Sequence, residues 1–186
     1  MTTKKNFVDI IYEALEKEAW NEVSKNSSWR EGQLKRFKDR VDWKRISENR
    51  NIKWTTSMLE EFKHLVDWRK LSSVISDTEI IEKYTDKWDW KRVSENRDIE
   101  WTTSMLEKFK HLVDWRKLSS AISDIEIIDK YIEKWDWNEI INNYLLEECF
   151  DKEFIIKYID YIPVDSLSNS RLWNCVIEKE AEKQYN

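Results

Sequence analysis

Apolar residues recur along this chain at spacings of three and four, the signature of helices with one buried face. Met58, Leu59, Phe62 and Val66 fall on one side of the segment that begins at Thr55. Ile80, Ile81, Tyr84 and Trp88 do so in the segment opening at Ser76, and Phe154, Ile155, Tyr158 and Ile162 repeat the arrangement further on. Between these stripes lie shorter helices, each opened by an aspartate: Asp42, Asp67, Asp89 and Asp114 stand where an N-cap carboxylate accepts from the first free N–H groups. An apolar residue precedes each cap (Val41, Val66, Trp88, Val113) and another follows four later (Ile46, Leu71, Val93, Leu118), the pairing of a hydrophobic staple. Ser76 and Glu79 have the spacing of a capping box for a second helix.

These elements form a repeat. Residues 42–88 and 89–135 align without a gap and are identical at 38 of 47 positions, a recent duplication. Each copy divides again at Asp67-Trp-Arg-Lys-Leu-Ser or Asp114-Trp-Arg-Lys-Leu-Ser, so that unit starts alternate at 25 and 22 residues. Weaker copies begin at Ala19-Trp-Asn-Glu-Val-Ser, at Asp136-Trp-Asn-Glu-Ile-Ile and, in degenerate form, at Pro163-Val-Asp-Ser-Leu-Ser. Each unit reads as a short helical hairpin with one apolar face that it cannot bury alone. The expected fold is therefore all-α: an α-solenoid of about seven short hairpins in units of 22–27 residues. It forms a single domain over 1–186, with an N-terminal cap helix within 1–18, repeat units over 19–162 and a capping unit over 163–186. The cap helix, from about Asn6 to Ala19, carries Phe7, Ile11 and Leu15 on one side, and the last helix runs into Glu178-Lys-Glu-Ala-Glu-Lys-Gln, so the array is expected to have polar, complete ends.

Composition narrows the chemistry. One glycine and one proline in 186 residues, where average usage gives about a dozen glycines, exclude glycine-rich phosphate loops, dinucleotide fingerprints and nucleophile elbows. The net charge of −5 weighs against a strongly basic nucleic-acid or membrane-surface protein. No signal peptide or apolar span is expected, and Cys149 and Cys175 are expected as buried thiols of a reducing compartment, so the protein reads as cytoplasmic. His64 and His111 are copies of one position near a helix end, not a catalytic or metal pair. No nucleophile and base stand out, and neither enzymatic activity, a cofactor, a metal nor a membrane is expected.

Twelve tryptophans supply the anchors. Trp20, Trp43, Trp68, Trp90, Trp115 and Trp137 open first helices, and Trp88 and Trp135 close second helices. Burying about 150–250 Å² per ring at about 25 cal/mol/Å² gives on the order of 4–6 kcal/mol gross each, which suits one anchor per hairpin. Trp54 and Trp101 sit in the longer loops of the 25-residue units, which the hairpin does not require, and are candidate partner-binding aromatics. The basic pairs Lys44-Arg45, Arg69-Lys70, Lys91-Arg92 and Arg116-Lys117 occupy first turns, where the helix dipole disfavours cations. Either carboxylates on adjacent helices pair with them, or they form a basic stripe for an acidic partner.

Lys87 to Asn96, Lys-Trp-Asp-Trp-Lys-Arg-Val-Ser-Glu-Asn, resembles the tryptophan-rich "WDWxxLSxN" repeats of uncharacterised bacterial and phage proteins. In architecture the chain resembles tetratricopeptide and HEAT solenoids, without their signatures. The resemblance implies a repeat scaffold and carries over no functional residue. The expected function is non-enzymatic binding of another protein or peptide, as adaptor or inhibitor, on a chain that is monomeric by preference. The alternative is single-stranded nucleic-acid binding, with one unit per base or phosphate.

Overall fold

The computed structural model describes residues 7–185. Among them every regular element is helical, and the short helices follow one another in a repeated pattern. The fold is an all-α repeat fold. A long α1 (Phe7–Asn26) is followed by α2 (Glu31–Phe37), α3 (Trp43–Ser47), α4 (Thr56–Phe62), α5 (Trp68–Leu71), α6 (Thr78–Lys83), α7 (Trp90–Ser94), α8 (Thr103–Phe109), α9 (Trp115–Ser119), α10 (Ile125–Lys130) and α11 (Trp137–Ile140). Then come α12 (Lys152–Lys157), α13 (Val164–Leu167) and α14 (Arg171–Tyr185), with 3₁₀ turns at Ile132–Lys134 and Tyr144–Cys149. Contacts group the chain into two compact units that divide between Asp89 and Trp90. That division falls one residue from the border between the two 47-residue copies.

The aspartate caps form as their spacing predicts. The Asp42 carboxylate accepts from the backbone N–H groups of Lys44 and Arg45, Asp67 from Lys70, Asp114 from Lys117, and Asp136 from Asn138 and Glu139. Both staple positions are buried in each copy, with Ile46, Leu71, Val93 and Leu118 fully so. Two boundaries differ from expectation. The second helix of the 22-residue unit is capped by Asp77, whose carboxylate accepts from Ile80, rather than by Ser76. Ala19 holds the position where other units have aspartate, and alanine is the best helix former and a poor cap. Nothing stops the helix there, so α1 runs through Trp20 to Asn26 and the first unit has no separate first helix. The expected start at Asn6 and the Phe7 side chain lie outside the described residues.

Each hairpin is closed by an aromatic pair. Trp43 packs on Phe62 with ring centroids 5.0 Å apart, Trp68 on Tyr84 at 5.2 Å, Trp90 on Phe109 at 4.9 Å, Trp115 on Tyr131 at 5.3 Å and Trp137 on Tyr158 at 5.1 Å. The indole N–H groups of Trp43, Trp68 and Trp115 donate to the carbonyls of Lys38, Lys63 and Lys110, the C-cap residues just after α2, α4 and α8. A helix leaves its last carbonyls without partners, and here the next hairpin's tryptophan supplies a donor.

Successive hairpins are joined by the serine that ends each first helix. Its hydroxyl donates to the tryptophan carbonyl four residues back, Ser47 to Trp43, Ser72 to Trp68, Ser94 to Trp90 and Ser119 to Trp115. The same oxygen accepts the backbone N–H of the following cap aspartate: Asp67 at 2.8 Å, Asp89 at 3.0 Å, Asp114 at 2.9 Å and Asp136 at 2.9 Å. Ser24 on α1 accepts from Asp42 in the same way at 3.0 Å. All five serines are fully buried. After Asp136 the clasp disappears from both sides at once: Ile141 takes the serine position and Pro163, which has no N–H, takes that of the aspartate. No donor is orphaned, and the Ile141 carbonyl instead accepts from Leu172 of α14 at 2.9 Å.

Candidate functional site

The basic pairs are mostly engaged within the protein. Arg69 reaches Asp89 at 3.4 Å and Lys70 pairs with Glu48. Forty-seven residues later Arg116 reaches Asp136 and Glu139, each at 3.5 Å, and Lys117 reaches Glu95 at 3.3 Å. Arg45 turns back to its own cap, Asp42, at 3.6 Å. Arg92 also has a partner. Lys44 and Lys91, equivalent positions in the two copies, are exposed. For Arg69, Lys70, Arg116 and Lys117 the dipole penalty on first-turn cations is thus offset by carboxylates of neighbouring hairpins.

Trp54 and Trp101 are not on the surface. They are 6% and 4% exposed, alongside the buried Ile52 and Ile99 two residues earlier, so the longer loop lays an extended segment onto the core. The aromatic part of the expected partner site is corrected accordingly: no ring face is offered to a ligand. Each indole N–H is buried without a hydrogen-bond acceptor, unlike Trp88 and Trp135, which donate to the carbonyls of Ile81 and Ile128 at 3.0 Å.

A second set of polar links joins the second helices. Glu60 accepts from Lys63 at 2.9 Å, from Lys83 at 2.8 Å and from the Tyr84 hydroxyl at 2.8 Å. Glu107, Lys110, Lys130 and Tyr131 reproduce this arrangement. The bond from Lys83, with those from Lys63 and Tyr84, draws the Glu60 carboxyl down to about 2, and Lys130, Lys110 and Tyr131 do the same at Glu107. Burial of the ring and the facing carboxylate push the Tyr84 and Tyr131 hydroxyls up to about 12. Asp129 accepts from Lys157 at 2.7 Å and from Tyr158 at 2.8 Å, a third version one unit on. The Glu60 and Glu107 carboxylates hold charge firmly and are saturated by donors, which suits a structural tie rather than proton transfer.

His64 and His111 are exposed in the turns after α4 and α8. Cys149 and Cys175 are half-buried free thiols rather than the buried ones expected. Burial pushes the Cys175 thiol up, away from nucleophilic character. Among the described residues no cluster of His, Cys, Asp or Glu could hold a metal ion, and no helix is long and apolar enough to cross a membrane.

The surface feature that sequence reasoning missed is apolar. Val8, Ile10, Ile11, Tyr12, Leu15 and Val23 of α1 are 41–68% exposed. Tyr144, Ile156, Ile159, Tyr161, Val164, Trp173 and Ile177 are exposed toward the other end of the sequence. Among the described residues no large hydrophobic side chain between Val23 and Tyr144 is exposed. Polar ends were expected because an apolar stripe on a helix implies a neighbour, and the sequence does not reveal where that neighbour is missing. No family model, curated protein or solved structure matches the chain.

Proposed function

We propose that the chain is a non-enzymatic scaffold that binds another protein or peptide, as adaptor or inhibitor, through the apolar faces of its terminal elements rather than through its central repeats. The observation that carries this reading is the exposure pattern: large apolar side chains are exposed on α1 and after Asn143, and between these two regions they are covered. Large apolar side chains left exposed in groups, on a chain otherwise this charged, favour a site of association. Binding on the repeat surface by the basic pairs draws less support, since most of those cations already have carboxylate partners. The nucleic-acid alternative rested on the same cations and on Trp54 and Trp101, which are buried.

Affinity capture from native extract tests the proposal with three proteins: wild type, a variant with Lys44, Arg69, Lys91 and Arg116 changed to Glu, and one with Leu15, Ile156 and Ile159 changed to Gln. The expected result is a partner retained by the charge variant and lost by the apolar variant. The same proteins captured by all three, or none beyond those held by an unrelated helical protein, would overturn it.

A further inference from the structure

The best defined of the exposed faces lies on α1. We infer that α1 is a docking helix for an amphipathic helix of another protein, one whose apolar stripe is bordered by lysine or arginine. This rests on the binding reading above and names the partner's chemistry.

Residues 8–19 of α1 are exposed throughout, and the helix first meets the rest of its unit around Trp20, Asn21 and the buried Ser24. Arg40 braces this junction: it pairs with Glu16 and lies over the Trp20 ring at 4.7 Å. The helical turns before it carry Val8, Tyr12, Leu15, Ala19 and Val23, spaced by four, three, four and four residues. At about 100° per residue this spacing is one continuous seam along the helix, widened by Ile11. A solitary helix gains little stability in water and depends on burying such a stripe.

Charge selects the occupant. The same helical spacing puts Glu18 and Glu22 along one border of the seam and Asp9, with the Arg40-paired Glu16, along the other. Of the two lysines of α1, Lys17 lies opposite the seam and lines the cleft beside Arg40 and Asp42, and Lys25 follows Glu18 on its border in the last turn, past the end of the seam at Val23. Charges flanking an apolar seam determine which helix pairs with it, because like charges there repel and opposite charges attract. A second copy of α1 would set carboxylates against carboxylates. A lipid surface calls for basic flanks, and the flanks of this seam are mainly acidic, with Lys25 alone at one end. A basic-flanked amphipathic helix satisfies both the apolar seam and its borders.

Fluorescence anisotropy on the whole chain tests this with two labelled helical peptides of about 20 residues, carrying the same leucine stripe, one flanked by lysine and the other by glutamate. Wild type is expected to bind the lysine-flanked peptide, less tightly as salt rises, and not the glutamate-flanked one. Tyr12→Gln with Leu15→Gln should weaken binding by about tenfold or more. Glu18→Gln with Glu22→Gln should weaken it and flatten the salt dependence, and Glu126→Gln with Glu133→Gln, two exposed carboxylates outside α1, should leave it unchanged. All six positions are exposed, and unchanged far-UV circular dichroism verifies that the variants fold.

Equal binding of both peptides, binding of neither, or no loss in the Tyr12/Leu15 variant overturns the inference. So does a wild-type dimer in sedimentation that this variant makes monomeric, which would assign the seam to a second copy. Attachment to phosphatidylcholine vesicles lost in the same variant overturns it too, assigning the seam to lipid. A native partner kept by the Tyr12/Leu15 variant and lost by a variant with Ile156→Gln and Ile159→Gln would sink the α1 assignment while leaving the binding scaffold intact.

Discussion

The hairpins between Asp42 and Asn143 and the elements on either side of them are built from similar residues and meet water differently. In the central hairpins each first helix buries an aliphatic residue completely, each serine clasp consumes a donor from the next hairpin, and the surface cations are largely tied to neighbouring carboxylates. The terminal elements have the same helical stripes without a covering neighbour, so Leu15 is 61% exposed where Leu71 and Leu118 are fully buried. The difference teaches that repetition closes a surface only where there is another copy to close it. Regular sequence marks the closed part of this molecule, and the divergent ends carry its exposed apolar area.

The contrast should be sharpest for tryptophan removal. Trp88→Ala deletes a ring that is 6% exposed, edge-on to Trp68 and bonded to Ile81, and should cost about 3–5 kcal/mol in urea unfolding. Trp173→Ala, at a site 37% exposed, should cost about 1 kcal/mol or less. Equal losses would break the distinction between closed centre and open ends.

The clasp comes next. Ser94→Ala leaves the Asp114 N–H without its acceptor and should cost about 1–3 kcal/mol, against no more than about 0.5 kcal/mol for Ser168→Ala in the terminal region, where the serine is exposed. Within the centre, Trp135→Phe removes a hydrogen bond to Ile128 and Trp101→Phe removes none. The first should therefore be the more destabilising by about 1 kcal/mol, and the reverse order in thermal unfolding would contradict the assignment of Trp101 as an unpaired core ring.

The smallest effect is on acid stability. The Glu60 and Glu107 carboxyls lie near 2 when folded, against an ordinary value of 4.5. A depressed carboxyl stabilises the fold above its unfolded value and loses that contribution as pH falls. Replacing both by Gln should make the acid limb shallower between pH 4.5 and 2, and the drop should be slight because both side chains are solvated. An unchanged slope in a pH titration of stability would remove these ties from the account of the closed centre.

Much of the fold was legible because its grammar is local. Asp42, Asp67 and Asp114 cap where a carboxylate, a preceding apolar residue and an apolar residue four later coincide, and each of those signals lies within five residues. Ser76 and Asp77 are adjacent and either side chain can cap, so spacing alone does not separate them. Ala19 was misread because the tryptophan after it suggested a unit start that the missing cap could not enforce. Trp54 offered a usable clue, since Ile52 and Trp54 alternate with Asn51, Lys53 and Thr55 in the period of an extended segment lying on a core. The clasp was half visible: the serine's small size suggested close packing, but its partner lies 17 or 20 residues away, at a distance no local pattern specifies. The exposed seam of α1 was not readable at all, because a stripe of Val8, Tyr12 and Leu15 looks the same whether covered or bare.

The clasp bears on how such a gene can grow. Its two spacings, 20 residues from Ser47 to Asp67 and 17 from Ser72 to Asp89, alternate, so a stretch holding only one of them would put two unlike joints out of phase. A stretch of 47 residues holds one of each and ends on the same kind of aspartate with which it began. Recombination between Asp42 and Asp89 therefore adds or deletes DNA without inventing a new joint, which explains why the duplication recorded in this chain is a double hairpin and why a further tandem copy should fold from the same code.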